Sequence, residues 1–203
     1  MSGSGKSTLA KLLVKFYECH SGAIFCDKYN IKDISTDSLR KIITYVPQEP
    51  YLFSGTIYEN ITFGKDRSVS IDELQLACKI AHIDEFIENS IHGFDTKIEE
   101  SGHNLSGGQI QRLSLARAIV SDSQVLIFDE ISAGIDSVQE TKIINSLFNM
   151  ENKTMVFITH SLNVSKRCDR IFVMESGKIV ESGTYCDLMN FDSSYKKMWE
   201  KIY

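Results

Sequence analysis

The chain has 203 residues, of which 42% are hydrophobic and 24% charged, and 22 basic against 27 acidic side chains give a net charge of −5 at pH 7. This is the composition of an average soluble globular domain, and the length corresponds to one domain, so a disordered chain is excluded. The longest apolar runs are far shorter than the roughly 20 residues of a membrane span, and a mildly acidic chain without a basic cluster is not a typical nucleic-acid binder.

The N-terminus and the cysteines indicate an intracellular chain. No apolar segment of a signal peptide follows Lys6, so we expect the chain to remain in the cytosol. The five cysteines are widely spaced and include no C-x-x-C pair, which predicts reduced thiols rather than disulfides or a zinc site.

Hydrophobic spacing predicts alternating helices and strands along the chain. In chain order these are a helix over 5–17, strands over 23–26 and 42–46, helical spacing over 71–91 and 106–121, a strand over 125–128, a helix over 138–150, strands over 155–158 and 171–174, and a hairpin turn with an edge strand over 175–183. The apolar runs at 125–128, 155–158 and 171–174 are typical of parallel strands that helices cover on both faces. We therefore expect one α/β domain over 1–203, with a mostly parallel sheet between helices and a helical subdomain inserted at about 70–121.

The first residues contain most of a phosphate-binding loop. Gly5-Lys6-Ser7-Thr8 matches the end of the pattern G-x-x-x-x-G-K-[ST], whose backbone N–H groups hold phosphates at the start of a helix. The candidate binding residues are Ser2, Gly3, Ser4, Gly5, Lys6, Ser7 and Thr8. The first glycine of the pattern falls one position before Met1, so we expect the sequence to begin inside the loop. Taken alone, these residues could also be a flexible tail.

A second motif is the apolar strand that ends in Asp129 and Glu130. A buried strand followed by two carboxylates suits a Walker B segment, in which Asp129 holds hydrated Mg²⁺ and Glu130 orients or deprotonates a water molecule. The structural alternative for an isolated pair is a solvated strand end or a helix cap.

The third motif, LSGGQ at 105–109, is the most specific. A serine and two glycines at a helix start form an anion-binding N-terminus, although a plain capped helix would look the same. With the phosphate loop before it and the two carboxylates after it, the chain resembles the ATP-binding-cassette (ABC) transporter family, exporter type, of which LSGGQ is the signature. The resemblance covers essentially the whole chain and implies a P-loop NTPase core, with the signature on the helical subdomain.

The resemblance implies ATP and Mg²⁺ as cofactors and assigns roles to further residues. Gln48, in the context Tyr45-Val46-Pro47-Gln48, matches the Q-loop glutamine, which contacts the metal or the attacking water. His160 matches the switch histidine, which contacts the γ-phosphate, and Asp136 matches the D-loop aspartate, which contacts a partner subunit.

The implied catalytic residues are Glu130, His160 and Gln48, and the implied metal ligands are Ser7, Gln48 and Asp129. The implied nucleotide-binding residues outside the loop are Ser106, Gly107, Gly108, Gln109 and Asp136.

Two departures from the family pattern stand out. Gly134-Ile135 replaces the leucine that the family usually carries in the D-loop. The family's adenine-stacking aromatic residue, its first antiparallel strands and the strand that feeds the phosphate loop all precede Met1, so the resemblance assigns adenine to no residue here.

Two segments, Leu52–Ile61 and Glu99-Glu100-Ser101-Gly102, resemble the exporter branch. The resemblance implies two partners: a second cassette domain that pairs head to tail with this one, and a membrane domain, fused upstream or separate, that docks on the Q-loop and the helical subdomain. Glu100 is the candidate acidic residue near that contact, and a solvated acidic face is the alternative. The implied location is peripheral, at the cytoplasmic face of the plasma membrane.

Three hypotheses for function follow. The first is an ATPase domain that powers export of a peptide, lipid or drug. The second is a soluble cassette ATPase of DNA repair or translation, which the short segment between Gln48 and Leu105 disfavours because those proteins carry long insertions or tandem cassettes. The third is a truncated remnant that only binds partners.

Overall fold

Two compact units make up the chain. The first unit consists of residues 1–36 and 157–203, and the second unit consists of residues 37–156. The structure, a computed structural model, describes residues 3–131, 134–190 and 192–200.

Helices and short strands alternate in both units. The helices are α1 (Lys6–Leu13), α2 (Thr36–Ile42), α3 (Ile57–Thr62), α4 (Ile71–Ile80), α5 (Asp84–Glu88), α6 (Gly107–Ile119), α7 (Ser137–Phe148), α8 (Leu162–Ser165), α9 (Tyr185–Asn190) and α10 (Ser194–Glu200). The strands are β1 (Phe25–Cys26), β2 (Tyr29–Asn30), β3 (Ile43–Val46), β4 (Gly55–Thr56), β5 (Lys97–Ile98), β6 (Val125–Asp129), β7 (Thr154–Ile158), β8 (Ile171–Glu175) and β9 (Lys178–Gly183).

The sheet that carries the candidate site has the strand order β3-β6-β7. β3 and β6 are parallel, and Val46 is aligned with Phe128. Leu126, Ile127 and Phe128 are at most 1% exposed, as expected for a parallel strand that is covered on both faces. The predicted strand at 42–46 and the predicted parallel strand at 125–128 are therefore confirmed, and both strands end at the same edge of the sheet.

In the second unit, α6 packs against α3, α4 and β3. The apolar spacing at 71–91 predicted helix throughout, but the helix is interrupted between α4 and α5, where His82 has a φ of 52°. The His82 carbonyl accepts a hydrogen bond of 2.7 Å from the Arg112 guanidinium of α6. A tertiary contact therefore satisfies the His82 carbonyl at the point where the helix is interrupted.

In the first unit, β8 and β9 form an antiparallel hairpin, which confirms the predicted hairpin turn. Its two turn residues, Ser176 and Gly177, both have positive φ, which is typical of a two-residue hairpin loop. The prediction that 171–174 is a parallel strand covered on both faces is wrong. Only one face of β8 is buried. Ile171 and Val173 on that face pack with Leu188 and Tyr195, whereas Phe172 on the opposite face is 56% exposed.

Candidate active site

The predicted phosphate loop leads directly into α1 in the first unit. Gly3 and Gly5 have φ values of 82° and 92°, a left-handed conformation that glycine adopts without strain. The Lys6 Nζ donates a hydrogen bond of 3.0 Å to the Ser4 Oγ, and Ser7 and Thr8 follow in the first turn of α1. Ser2 lies outside the described residues.

The loop is anchored on the β8–β9 turn. The Gly177 N–H donates to the Ser4 carbonyl at 3.0 Å, and Ser4 is only 6% exposed. A Cβ on Gly5 would lie 3.3 Å from the Gly177 Cα, so glycine at position 5 permits close backbone packing as well as positive φ. This support for the loop was not predicted from the sequence.

In the second unit, Gln48 and Glu130 meet at the end of the parallel strands. The pair Val46 and Phe128 is in register, so the residues two positions further along each strand lie side by side. The Gln48 Nε2 donates a hydrogen bond of 2.9 Å to the Glu130 Oε2. Glu130 has a φ of 51°, and such a backbone conformation in a residue other than glycine is often found at functional sites.

Asp129 is held by a residue to which the sequence assigned no role. The Tyr45 hydroxyl of β3 donates a hydrogen bond of 2.8 Å to the Asp129 Oδ2, and Asp129 is 2% exposed. The signal that could have revealed Tyr45 is its place on the predicted strand 42–46, shortly before Gln48.

The signature segment forms a capped helix start. The Ser106 Oγ accepts from the Gln109 N–H at 3.3 Å, and the Gln109 Oε1 accepts from the Ser106 N–H at 2.8 Å, a reciprocal capping box. Gly107 is exposed, and a Cβ there would meet no atom within 4 Å. A Cβ on Gly108 would lie 3.1 Å from the Gly134 carbonyl oxygen, so the D-loop backbone packs against the signature.

Asp136 caps α7, and its Oδ1 accepts hydrogen bonds from the N–H groups of Val138 and Gln139 at 3.1 and 3.0 Å. The same side chain lies near the Arg112 guanidinium, where burial lowers the pKa of Arg112 and the Asp136 charge opposes that effect. The capping hydrogen bonds give Asp136 a local structural role beside the one expected from the family. The residue is exposed. Ser132 and Ala133 of the D-loop lie outside the described residues.

His160 and Glu100 are exposed. His160 follows β7 directly and belongs to the first unit, as do Lys6 and Ser7. Gln48, Asp129 and Glu130 come together in the second unit, which also carries the signature.

The donor set fits a hard divalent cation. In the second unit, the buried Asp129 carboxylate and the Gln48 amide offer oxygen ligands of the type that Mg²⁺ prefers, and the Ser7 hydroxyl of the first unit is a donor of the same type. Few protein ligands are needed, because Mg²⁺ at nucleotide sites is usually held by one or two side chains together with phosphate oxygens and water.

Comparison with known proteins identifies the class. Residues 1–133 match the sequence family described as ABC transporter. Because this match covers more than half of the chain, the chain belongs to the ABC transporter family. The exporter resemblance and the expected α/β P-loop NTPase fold are both confirmed by the relatives and the solved structure described next.

The similar curated proteins include transport/processing ATP-binding proteins and a lipid flippase. The chain is 46% identical over 200 residues to the pediocin PA-1 transport/processing ATP-binding protein PedD of Pediococcus acidilactici, a match that covers 98% of this chain and 28% of that protein. It is 41% identical over 199 residues to the ATP-dependent lipid A-core flippase of Desulfotalea psychrophila, covering 98% of this chain and 35% of that protein. The chain thus spans about a third or less of the length of these curated relatives.

A solved structure described as a bacterial Atm1-family ABC exporter with ATP bound superimposes with a TM-score of 0.93 at 36% identity. The match covers 100% of this chain and 35% of the exporter chain.

Proposed function

We propose that this chain binds ATP with Mg²⁺ and hydrolyses it to power export by a membrane partner. The observation that carries the proposal is the contact between Gln48 and Glu130 beside the buried Asp129, at the end of two parallel strands. This arrangement brings a candidate base, a water-orienting amide and a metal-binding carboxylate to one edge of a sheet.

The phosphate loop supplies the nucleotide-binding part of the proposal. The positive φ values of Gly3 and Gly5 would allow backbone N–H groups to face a phosphate at the N-terminus of α1, where the helix dipole also favours negative charge. Lys6 would neutralise the β- and γ-phosphates, and the Ser7 hydroxyl would be a metal ligand together with Asp129 and Gln48. Bound Mg²⁺ would supply charge neutralisation of the phosphates.

In the hydrolytic step, Glu130 accepts a proton from the water that attacks the γ-phosphorus, and the bond to ADP breaks. Gln48 orients that water, and the His160 imidazole donates a hydrogen bond to the γ-phosphate. The hydrogen bond from Gln48 to Glu130 supports the first two assignments.

The proposal includes a second cassette domain. The exposed N-terminus of α6, with Ser106, Gly107, Gly108 and Gln109, has the geometry of an anion site. Placed over the phosphate loop of a second copy, it would add a second helix N-terminus to the triphosphate, with Asp136 near the contact. Hydrolysis would remove the ligand that joins the two domains.

The membrane partner would dock on the second unit. Residues 70–121 of this unit are the proposed helical subdomain. A groove of about 410 Å³ next to the Q-loop is lined by Pro50, Tyr51, Phe53, Phe63 and Arg117 among others. Its aromatic walls suit a short helix of the membrane domain, and Glu100 is the proposed acidic contact.

Within the described ranges, no helix combines the length and hydrophobicity of a membrane span. We place the chain at the cytoplasmic face of the plasma membrane through this partner.

The test is ATP turnover by the purified chain and by Glu130→Gln. Loss of a general base lowers turnover by about 100-fold or more, whereas nucleotide binding should persist. Glu151→Gln removes an exposed carboxylate elsewhere in the second unit and should retain the turnover of the unmodified chain. Equal turnover by Glu130→Gln and Glu151→Gln would reject Glu130 as the base. Nucleotide binding without turnover in the unmodified chain would instead favour a binding module.

A further inference from the structure

We propose that Tyr45 is a positioning residue that orients the Asp129 carboxylate and thereby strengthens metal binding in the ATP complex. The inference rests on the proposed function, because it assumes that Asp129 is a metal ligand. Nothing in the motif pattern assigned a role to this tyrosine.

The strand register places the two side chains together. Tyr45 on β3 is aligned with Ile127 on β6, so the side chains of these residues lie on the same face of the sheet. Asp129 lies two residues further along β6 and shares that face. A diagonal neighbour of this kind is within reach of a long aromatic side chain, and the hydroxyl-to-carboxylate distance is 2.8 Å.

The contact restrains a buried acid. Asp129 is 2% exposed, and a carboxylate removed from water must be hydrogen-bonded. An ionised carboxylate only accepts hydrogen bonds, and a bond from a hydroxyl to a charged oxygen is stronger than a neutral one. The Tyr45 hydroxyl therefore restricts rotation of the Asp129 carboxylate about its Cβ–Cγ bond.

This restraint matters for the ligand that Asp129 is proposed to hold. Mg²⁺ requires nearly ideal octahedral geometry, so an oxygen ligand held in the right direction binds it more tightly than a freely rotating one. The hydrogen bond from Gln48 to Glu130 does not involve the Tyr45 hydroxyl. Removal of the Tyr45 hydroxyl should therefore act on the metal and leave the contact between Gln48 and Glu130 in place.

The experiment compares Tyr45→Phe with the unmodified chain and with Tyr58→Phe, which removes a hydroxyl from an exposed tyrosine of α3. Three quantities are measured: the affinity for ATP in EDTA, the affinity of the ATP complex for Mn²⁺ by electron paramagnetic resonance, and the melting temperature. Loss of a group that orients a metal ligand typically weakens metal binding about tenfold or more. We expect that loss in Tyr45→Phe, with an unchanged affinity for ATP in EDTA and an unchanged melting temperature.

The possible results separate the two proposals. If the unmodified chain does not bind ATP in EDTA or Mn²⁺ in the presence of ATP, the proposed function is wrong and the inference falls with it. If the unmodified chain binds both and Tyr45→Phe retains its Mn²⁺ affinity, only the inference is overturned. Weaker Mn²⁺ binding that merely follows a lower melting temperature, or that Tyr58→Phe reproduces, also overturns it, because Tyr45 would then be only structural.

Discussion

Asn60 is a buried polar residue that joins α3 to the segment following the Q-loop. It is 0% exposed, and its amide accepts from the Phe53 N–H at 3.1 Å and donates to the carbonyls of Phe53 and Thr56 at 2.9 and 3.1 Å. Arg117 donates to the backbone and side-chain oxygens of Asn60 at 2.7 and 3.0 Å. Burial lowers the pKa of Arg117, and these acceptors offset the cost of burying its charge.

Replacing Asn60 with alanine should therefore be costly. The substitution leaves the Phe53 N–H and one donor of Arg117 without their buried acceptor, which we expect to lower the free energy of unfolding by about 3 kcal/mol. Urea denaturation measures the change. The matched control Asn149→Ala removes an exposed asparagine from the C-terminus of α7 and should change stability by less than about 0.5 kcal/mol. Similar values for both variants would contradict the role of Asn60.

At the scale of elements, three helices of the second unit begin with the same local device. Reciprocal capping boxes start α3 at Thr56 and Glu59, α4 at Ser70 and Glu73, and α6 at Ser106 and Gln109. At the start of α4 the device extends into an ion-pair cluster, because Arg67 bridges Glu73 and Asp122 at 2.8 and 2.9 Å. Arg67 thus links the segment before α4 to the turn between α6 and β6.

The cluster makes stability depend on pH. Hydrogen bonds from Arg67 and then from Ser70 lower the pKa of Glu73 to about 2, below the value of about 4.3 in an unfolded chain. The stabilisation is therefore fully present above about pH 4.3 and is lost as the pH falls toward 2. We expect the urea midpoint of the unmodified chain to exceed that of Glu73→Gln at pH 6, with the gap narrowing between pH 4.3 and 3. Arg67→Gln should remove most of the same pH dependence, and a gap that stays constant down to pH 3 would contradict the assignment.

At the scale of the whole molecule, we expect the folded chain to accept a side chain at Gly107 more readily than at Gly108. Gly108 packs against the Gly134 carbonyl, whereas a side chain on Gly107 would enter open space. If the signature of one copy closes over the triphosphate bound to another, a negative charge at position 107 will repel that triphosphate without disturbing the single chain.

The pairing is best measured in Glu130→Gln, which should retain ATP. We expect ATP to shift this variant from monomer to dimer in analytical ultracentrifugation, and Gly107→Glu in the same background to abolish the shift. The unfolding free energy should change by less than about 0.5 kcal/mol. Gln124→Glu adds the same charge at an exposed position and should leave pairing intact. Pairing that survives Gly107→Glu would contradict a head-to-tail arrangement through the signature.

Several features of the fold follow from the sequence because they depend on neighbouring residues. The apolar runs at 42–46 and 125–128 predicted β3 and β6, and the helical spacing at 106–121 predicted α6 closely. The motifs also located the candidate residues along the chain, because phosphate, metal and water each require particular residue types at short spacing. By contrast, α2, α8, α9 and α10 are too short to give a clear periodic signal.

The sequence by itself thus determined the family, the fold class and the candidate residues Gln48, Asp129 and Glu130. Only the tertiary structure decided the register of β3 on β6, which brings Tyr45 to Asp129 and Gln48 to Glu130. It also decided the interruption at His82, whose carbonyl accepts from Arg112, and the anchoring of the phosphate loop on Gly177. The physical reason is that each of these features pairs groups distant in sequence, and local periodicity does not specify which distant groups meet.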